Sequence, residues 1–200
     1  ILRCLVGSEM CIRDRDYTCW HVVSYNNDGT VEKKQTFQGK NDDSSWARGQ
    51  AWAVYGYTAC YRETKDTTFL NFAVKVADMI MERVKTDDAI PYWDYDAPVT
   101  DETPRDASAA SVTASALIEL STMVPDGNKY LDYAEQILKS LSSDAYLAKI
   151  GENQGFILMH STGSLPNGSE IDTPLNYADY YYLEALKRFM DLKGISYNNL

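Results

Sequence analysis

The chain has 200 residues, 44% of them hydrophobic and 24% charged, with a formal net charge of -10 at pH 7. This composition suits a globular chain with a buried core, and no apolar run is long enough to span a membrane. The acidic charge argues against nucleic acid or an anionic membrane as partner, while four cysteines without C-x-x-C spacing and only two histidines argue against a zinc site.

The first fifteen residues, ILRCLVGSEMCIRDR, differ from the rest of the chain. They have no helical or strand periodicity, no long apolar region and no small-residue cleavage site, so they are not a signal peptide. They resemble a translated sequencing adaptor, a spurious N-terminus found joined to unrelated reading frames. We therefore expect residues 1–15 to be non-native, residues 16–200 to form the domain, and the natural protein to begin upstream.

The next stretch predicts a short β-hairpin followed by two antiparallel helices. YTCWHVVSY and TVEKKQTF are rich in β-branched and aromatic residues, and they flank the turn sequence NNDG. A first helix is predicted from Trp46 to about Lys65, and a second from Phe69 to Lys85 with apolar residues at helical spacing. Four residues before the first helix are candidate N-caps: Asp42, Asp43, Ser44 and Ser45.

A second helix pair and a last helix follow a connection rich in proline and aromatic residues. Ala107 to about Met123 is small and apolar nearly all round, which suits a helix packed on several sides. Lys129 to Leu141 is amphipathic, and a Gly-, Ser- and Asn-rich segment precedes a final helix from Tyr177 to about Leu192. Long connections that alternate with short turns are typical of the successive hairpins of an α/α toroid, of which this chain would supply about half.

The segment 45-SWARGQAWAVYGY-57 places two tryptophans, two tyrosines and an arginine at the start of the first predicted helix. A cation in the first turn opposes the helix dipole, so we expect a negative partner beside Arg48. At about 100° per residue, Trp52 and Tyr55 lie on the same helix face as Arg48. Trp46 points elsewhere unless the helix begins after it. The alternative interpretation is an exposed arginine beside core tryptophans.

Six motifs occur in a distinctive order between about Tyr17 and about Leu192. They are HVV at His21, TFQG at Thr36, WARGQAW at Trp46, PYWDYDAP at Pro91, PRDASAA at Pro104 and NYADYYYLEAL at Asn176. Together they resemble glycoside hydrolase family 88, the unsaturated glucuronyl hydrolases. WARGQAW alone is moderately specific, since related toroid families share parts of it, whereas the ordered set is specific. One departure is Phe37, which stands where the family has a histidine.

The resemblance implies an all-α fold, a partial (α/α)6 toroid or barrel with a short β-hairpin near its N-terminus. It implies hydration of the C4=C5 bond of a 4,5-unsaturated uronate at the non-reducing end of lyase-generated oligosaccharides, without a cofactor or metal. The expected partner is an unsaturated uronyl oligosaccharide derived from glycosaminoglycan or a similar polymer, in a bacterial-type cytoplasm or periplasm. Alternatives are an unsaturated rhamnogalacturonyl hydrolase and a non-catalytic helical carbohydrate-binding module.

The resemblance also implies which residues contact the substrate. In this interpretation Arg48 and the free amides of the first helical turn bind the uronate carboxylate. The full set of expected substrate-binding residues is Arg48, Trp52, Trp46, Gln38, His21 and Tyr55. The essential aspartates of the family precede WARGQAW in a part expected to be missing, so no catalytic residue is assigned.

Other polar residues are interpreted as structural. Asp94, Asp96 and Asp106 are expected to be loop and cap residues, and the Gln50 amide to satisfy loop backbone. His160 and the loop GSLPNGSE are weaker candidates for contact with the outer end of the substrate.

Overall fold

The computed structural model describes residues 12–13 and 16–196, which form five α-helices and one two-stranded antiparallel sheet. Most of the segment 1–15, predicted to be non-native, lies outside the described residues. Of that segment, Ile12 is buried in the core, and the Arg13 guanidinium donates to three backbone carbonyls before the first helix at 2.6, 2.8 and 3.2 Å. The domain boundary at residue 16 stays a prediction.

The predicted hairpin is present as β1 (Val22–Tyr25) and β2 (Val31–Gln35). The strands pair with Val22 opposite Gln35, and a bulge lies between the last two pairs before the turn. Within the turn, the Asp28 carboxylate accepts a hydrogen bond from the amide of Thr30 at 2.9 Å, and Gly29 adopts a φ of 88° that favours glycine. The base of the hairpin lies next to the start of the first helix.

The first helix pair consists of α1 (Ala47–Thr64) and α2 (Thr67–Arg83), close to the predicted bounds. The N-cap of α1 is Trp46, which makes no side-chain capping bond. Instead, the first helical amide donates to the carbonyl of Trp93 at 3.1 Å, so the connection between the two helix pairs closes this end. The prediction of a side-chain cap was wrong for all four candidates: Asp42, Asp43, Ser44 and Ser45.

The second pair and the last helix are α3 (Ala107–Ser121), α4 (Asn128–Leu141) and α5 (Asn176–Lys193). Thirteen of the fifteen residues of α3 are buried, as the small and apolar sequence predicts. Small side chains allow close approach of several helices, and α3 packs against α1, α4 and α5. This helix is the centre of the hydrophobic core.

The three inner helices, α1, α3 and α5, lie side by side in parallel, since contacts join their N-terminal ends and, separately, their C-terminal ends. Helices α2 and α4 pack outside as the antiparallel partners of α1 and α3. The connections 84–106 and 142–175 therefore meet beside the N-terminal ends of the inner helices. The predicted architecture of successive helical hairpins is confirmed. Within the described part of the chain, no helix combines the length and apolar character needed to cross a bilayer.

Candidate binding site at the N-terminal ends of the inner helices

Arg48 is the second residue of α1, and its side chain is only 3% exposed. One terminal nitrogen, Nη1, donates to the Asp106 carboxylate at 2.9 Å and to the Thr162 carbonyl at 2.6 Å. The other, Nη2, donates to the Gly163 carbonyl at 2.7 Å. The negative partner expected beside Arg48 is thus a carboxylate of the chain itself. A bidentate grip on a ligand carboxylate would require these hydrogen bonds to be exchanged.

Asp106 is fully buried and caps helix α3, as its interpretation as a cap residue predicts. Its Oδ1 accepts hydrogen bonds from the amides of Ser108 and Ala109 at 3.1 and 3.4 Å. The same oxygen accepts from the Thr162 amide at 3.4 Å, while Oδ2 faces Arg48. One carboxylate therefore joins α1, α3 and the loop before α5, and it satisfies amides that a helix start leaves unpaired.

Two aromatic rings contact the Arg48 guanidinium. Its Cζ lies 4.6 Å from the centre of the Trp46 ring and 5.4 Å from that of Tyr177. Because α1 begins after Trp46, the indole can fold back over the first turn, where a Cβ at Gly49 would lie 2.9 Å from the Trp46 ring. Contact with aromatic faces stabilises a cation that has lost its water.

His21 packs against Trp46, with the two ring centres 4.3 Å apart. Its Nδ1 lies 3.1 Å from the amide nitrogen of Phe37 and 3.3 Å from that of Gln38. Since both amides donate, we assign the imidazole proton to Nε2. Burial and then the positive charge of Arg48 lower the pKa of His21, which favours this neutral form.

Gln38 reaches the same loop carbonyl as Arg48. Its Nε2 donates to the Gly163 carbonyl at 2.8 Å, which leaves Oε1 as an acceptor. A Cβ at Gly163 would lie 2.1 Å from the Glu170 carboxylate and 2.6 Å from its Cβ, so the close approach requires glycine here. Phe37, the departure from the family pattern, is 70% exposed at the edge of this group.

Trp52 and Tyr55 form a second part of the site with residues of α5. The Tyr181 ring lies edge-on to both, at 5.0 Å from Trp52 and 5.1 Å from Tyr55. The Tyr55 hydroxyl donates to Glu184 at 3.2 Å, and burial, followed by the negative charge of Glu184, raises the pKa of Tyr55 to about 12. Tyr177 joins the two parts, since its ring also lies 6.5 Å from that of Trp52.

The six residues predicted from the sequence therefore form one continuous group, which is called the site cluster below together with Tyr177. Its members are His21, Gln38, Trp46, Arg48, Trp52, Tyr55 and Tyr177. It presents the half-buried rings of Trp52, Tyr55 and Tyr177, a neutral histidine donor and an amide acceptor, above the buried Trp46 and the buried pair of Arg48 with Asp106. The exposed groups suit a ring with apolar C–H faces and hydroxyl groups.

Three of the site's features had no strong sequence signal. Tyr177 is one of several neighbouring tyrosines, and nothing in the sequence distinguishes it from Tyr180 or Tyr181. The Thr162 and Gly163 carbonyls belong to the backbone, which carries no residue signature. The position of Asp106 opposite Arg48 depends on how two helices pack.

The remaining candidates have structural contacts. The Gln50 amide bonds both backbone groups of Cys19, at 2.7 and 3.2 Å, as predicted. Asp94 and Asp96 accept from backbone amides of the loop before α1, also as predicted. The His160 imidazole lies 2.6 Å from an exposed carboxylate rather than against a residue of the site cluster.

No protein-family model matches the chain. The unsaturated glucuronyl hydrolase of Formosa agariphila is 48% identical over 179 residues, which cover 88% of this chain and 44% of that protein. The unsaturated chondroitin disaccharide hydrolase of Streptococcus pyogenes is 32% identical over 183 residues, or 89% of this chain and 45% of that protein. The crystal structure of an unsaturated glucuronyl hydrolase specific for heparin superposes with a TM-score of 0.93 at 55% identity, over 96% of this chain and 52% of that one.

The chain thus spans about half the length of the curated relatives it matches. At this level of structural similarity, the helix pairs described above are part of an (α/α)6 toroid, and the predicted fold class is confirmed.

Proposed function

The chain belongs to glycoside hydrolase family 88, the unsaturated glucuronyl hydrolases, and on that premise we propose that it serves in the release of a 4,5-unsaturated uronic acid from the non-reducing end of lyase-generated oligosaccharides. The substrate class is glycosaminoglycan-derived. The observation that carries the proposal is the close match in sequence and fold to hydrolases of this type.

The chemistry is a hydration of the C4=C5 bond rather than a direct displacement at the glycosidic carbon. A proton is added at C4 and water at C5, and the resulting hemiketal opens and releases the sugar. The reaction needs a carboxyl group that delivers the proton and activates water, in contrast to the two carboxyl groups of ordinary glycosidases. We assign no such residue in this chain, so its part in the proposal is to hold the substrate.

Each member of the site cluster supports that part in a different way. The face of Trp52, with the edge of Tyr55, suits the C–H surface of a sugar ring, while the buried Trp46 ring supports Arg48 and His21 from within. The Nε2–H of His21 and the Oε1 of Gln38 supply a donor and an acceptor for sugar hydroxyl groups.

Arg48 is balanced by its buried counter-ion Asp106, and both of its terminal nitrogens are bonded inside the chain. Its proposed contribution is to fix Trp46, Tyr177 and the Thr162 and Gly163 carbonyls around the substrate, rather than to make a direct bidentate contact with the uronate carboxylate.

The two alternatives are not favoured. An unsaturated rhamnogalacturonyl hydrolase would be expected to match relatives of that name, whereas the relatives found are glucuronyl and chondroitin disaccharide hydrolases. A non-catalytic carbohydrate-binding module would likewise have relatives that are not hydrolases.

A chimera tests the proposal. Residues 17–195 of this chain would replace the aligned segment of the heparin-specific enzyme, and turnover would be followed by the loss of ultraviolet absorbance of the C4=C5 bond. We expect turnover of unsaturated glucuronyl disaccharides and about tenfold or more lower kcat/KM with an unsaturated rhamnogalacturonyl disaccharide. A chimera that melts like the parent enzyme and hydrates neither substrate would contradict the proposal.

Within the chimera, Trp52→Ala should lower kcat/KM about tenfold to hundredfold, because burial of an aromatic ring against a sugar contributes about 1.5 to 3 kcal/mol. The matched control is Tyr61→Ala, an aromatic residue of the same helix outside the site cluster, which should leave kcat/KM near that of the unmodified chimera. Equal losses in both variants would remove Trp52 from the site.

A further inference from the structure

A second concave surface lies between the C-terminal end of α2 and the connection 84–106. It encloses about 420 Å³ and is separate from the site cluster, with which it shares no residue. Its walls include three cationic side chains, two tyrosine rings and an exposed valine: Arg83, Lys85, Arg105, Tyr92, Tyr95 and Val99. This surface is called the cationic cleft below.

The charge of the cationic cleft contrasts with that of the whole chain. Three cations line it against one carboxylate, Asp87, although the chain carries a net charge of -10. Arg83 pairs with Asp96 at 2.8 Å and Arg105 pairs with Asp88 at 3.2 Å, but neither of these two carboxylates lines the cleft. Arg105 Nη1 also donates to the Ile90 carbonyl. A guanidinium has five N–H donors, so each arginine keeps donors beyond these partners.

Lys85 is the third cation of the cleft. It is exposed, and no ion pair joins it to any carboxylate within the described part of the chain. Its ammonium group is therefore available to a ligand.

The tyrosine rings add apolar surface to the charges of the cationic cleft. The Arg105 guanidinium lies 4.5 Å from the centre of the Tyr92 ring, and that of Arg83 lies 5.8 Å from the Tyr95 ring. Aromatic faces beside fixed guanidinium groups suit a ligand that combines an apolar ring surface with carboxylate or sulfate oxygens. An acidic sugar has both features, whereas a bare anion uses only one.

The cleft is also placed beside the site cluster. The connection that carries Tyr92 and Tyr95 on its cleft side supplies the Trp93 carbonyl that closes the start of α1. The lining residues of the cleft all lie in one continuous stretch, residues 83–105.

We propose that the cationic cleft is an accessory binding site for an acidic saccharide, a sugar that bears carboxylate or sulfate. It binds without converting its ligand, so a saturated oligosaccharide serves as well as an unsaturated one. The inference does not depend on the hydrolase activity proposed above, and a saturated probe keeps the two tests apart.

Titration calorimetry on the full chain at low salt tests the proposal with three saturated tetrasaccharides. A chondroitin 4-sulfate probe carries both kinds of anion, a hyaluronan probe carries carboxylate only, and maltotetraose is the neutral control. We expect saturable binding of both acidic probes, tighter for the sulfated one, with no binding of maltotetraose. Added salt should weaken the binding, because the cations of the cleft are open to solvent.

Charge variants locate the binding. Lys85→Glu and Arg83→Gln should each weaken binding about fivefold to tenfold, the scale of one or two exposed ion pairs. Lys149→Glu is the matched control, since it reverses the charge of another exposed loop lysine outside the cleft, and it should change affinity less than about twofold. Melting temperatures establish that all three variants are folded.

Three results would overturn the proposal. One is the lack of saturable binding of either acidic probe, and another is equal binding of maltotetraose, which would make the charge irrelevant. The third is an equal loss of affinity in Lys85→Glu and Lys149→Glu, which would show attraction to the overall charge rather than to the cleft.

Discussion

Arg48 carries its positive charge at a place that water hardly reaches. Removal of both ions of the Arg48 and Asp106 pair from water is costly, and the attraction between them offsets that cost only when further hydrogen bonds satisfy both groups. Here the Thr162 and Gly163 carbonyls accept from the guanidinium, and backbone amides donate to the carboxylate. The pair therefore fixes the geometry of the site and is sensitive to the loss of either member.

Replacement of Arg48 should be strongly destabilising. Arg48→Ala leaves the Asp106 carboxylate buried without its counter-ion, so we expect a loss of about 3 to 5 kcal/mol in the free energy of unfolding. Arg48→Lys keeps the charge but loses part of the hydrogen bonding, so its loss should be smaller. Chemical denaturation measures both.

A double-mutant cycle with Asp106→Asn supplies the control, because asparagine retains much of the capping function. The cost of Arg48→Ala should be clearly smaller in the Asp106→Asn background. A cost below about 1 kcal/mol for Arg48→Ala alone would show that the pair contributes no more than an exposed one.

His21 should make stability depend on pH. Its pKa lies below the ordinary value of 6.5 in the folded chain, so the unfolded chain binds the proton more readily. The contribution of His21 to the free energy of unfolding is therefore complete above about pH 6.5. It is lost as the pH falls from there to the lowered pKa of the folded state. The acid-dependent loss has a cause in the structure, since protonated Nδ1 cannot accept from the Phe37 and Gln38 amides.

Melting temperatures at several pH values between about 8 and 5.5 check this contribution. In His21→Asn, Oδ1 can accept from the same amides without titrating, so the melting temperature should fall less on acidification than in the unmodified chain. His160→Asn, which removes the other histidine, outside the site cluster, is the matched control for the loss of an imidazole. If His21→Asn follows the same curve as the unmodified chain, the imidazole does not control it.

The sequence predicts which residues form the site better than it predicts how they are arranged. Arg48, Trp52 and Tyr55 could be placed on one face because helical spacing fixes relative directions within a single element. The partner Asp106 is 58 positions away, and only the packing of α1 on α3 brings it close. The local sequence pattern around Arg48 does not indicate that Asp106 lies beside it in the fold.

Glycine is required at one position in the helices and turns and only tolerated at another. At Gly127, where α4 begins, a Cβ would lie 1.8 Å from the Ser121 carbonyl oxygen, so the chain passes too close for any side chain. At Gly56, within α1, a Cβ would meet nothing within 4 Å. The tight α3–α4 turn thus requires glycine, whereas α1 tolerates it at a cost in helix propensity.

Opposite effects are expected when the two glycines are replaced. Gly56→Ala should raise the free energy of unfolding by about 0.5 to 1 kcal/mol, through better helix propensity and a less flexible unfolded chain. Gly127→Ala should lower it by about 1 to 3 kcal/mol, because backbone atoms must move apart. Thermal unfolding distinguishes the two, and a Gly127→Ala variant as stable as the unmodified chain would show that the turn adapts at no cost.

At the level of elements, periodicity predicted all five helices and the hairpin to within a few residues. Each of these elements buries an apolar face, and the buried residues recur at regular spacing in the sequence. The capping of α1 was not predicted, because its first amide is satisfied by the Trp93 carbonyl from another segment. Backbone acceptors that arrive from distant parts of the chain have no signature in the local sequence.

The inner helices are held together by charge at both ends of the molecule. At the C-terminal ends, Glu119 of α3 accepts from Arg62 of α1 and pairs with Arg188 of α5, each at 2.9 Å. This end differs from the Arg48 end in its contact with water, since the Arg62 side chain is 43% exposed. An arginine–carboxylate pair therefore connects α1 and α3 at both ends, in two different environments.

Burial should decide how much the ion pair at each end contributes to the free energy of unfolding. Arg62→Met is expected to cost less than about 1 kcal/mol of unfolding free energy, because an exposed ion pair gains little over its hydrated partners, whereas Arg48→Met should cost about 3 to 5 kcal/mol. Salt separates the two ends further. At about 0.5 M NaCl the screening length is only a few ångströms, so the contribution of Arg62 should nearly vanish while that of the shielded Arg48 persists. Urea unfolding of the two variants at low and high salt measures both effects, and equal costs or equal salt sensitivity at the two ends would show that burial is not the deciding factor.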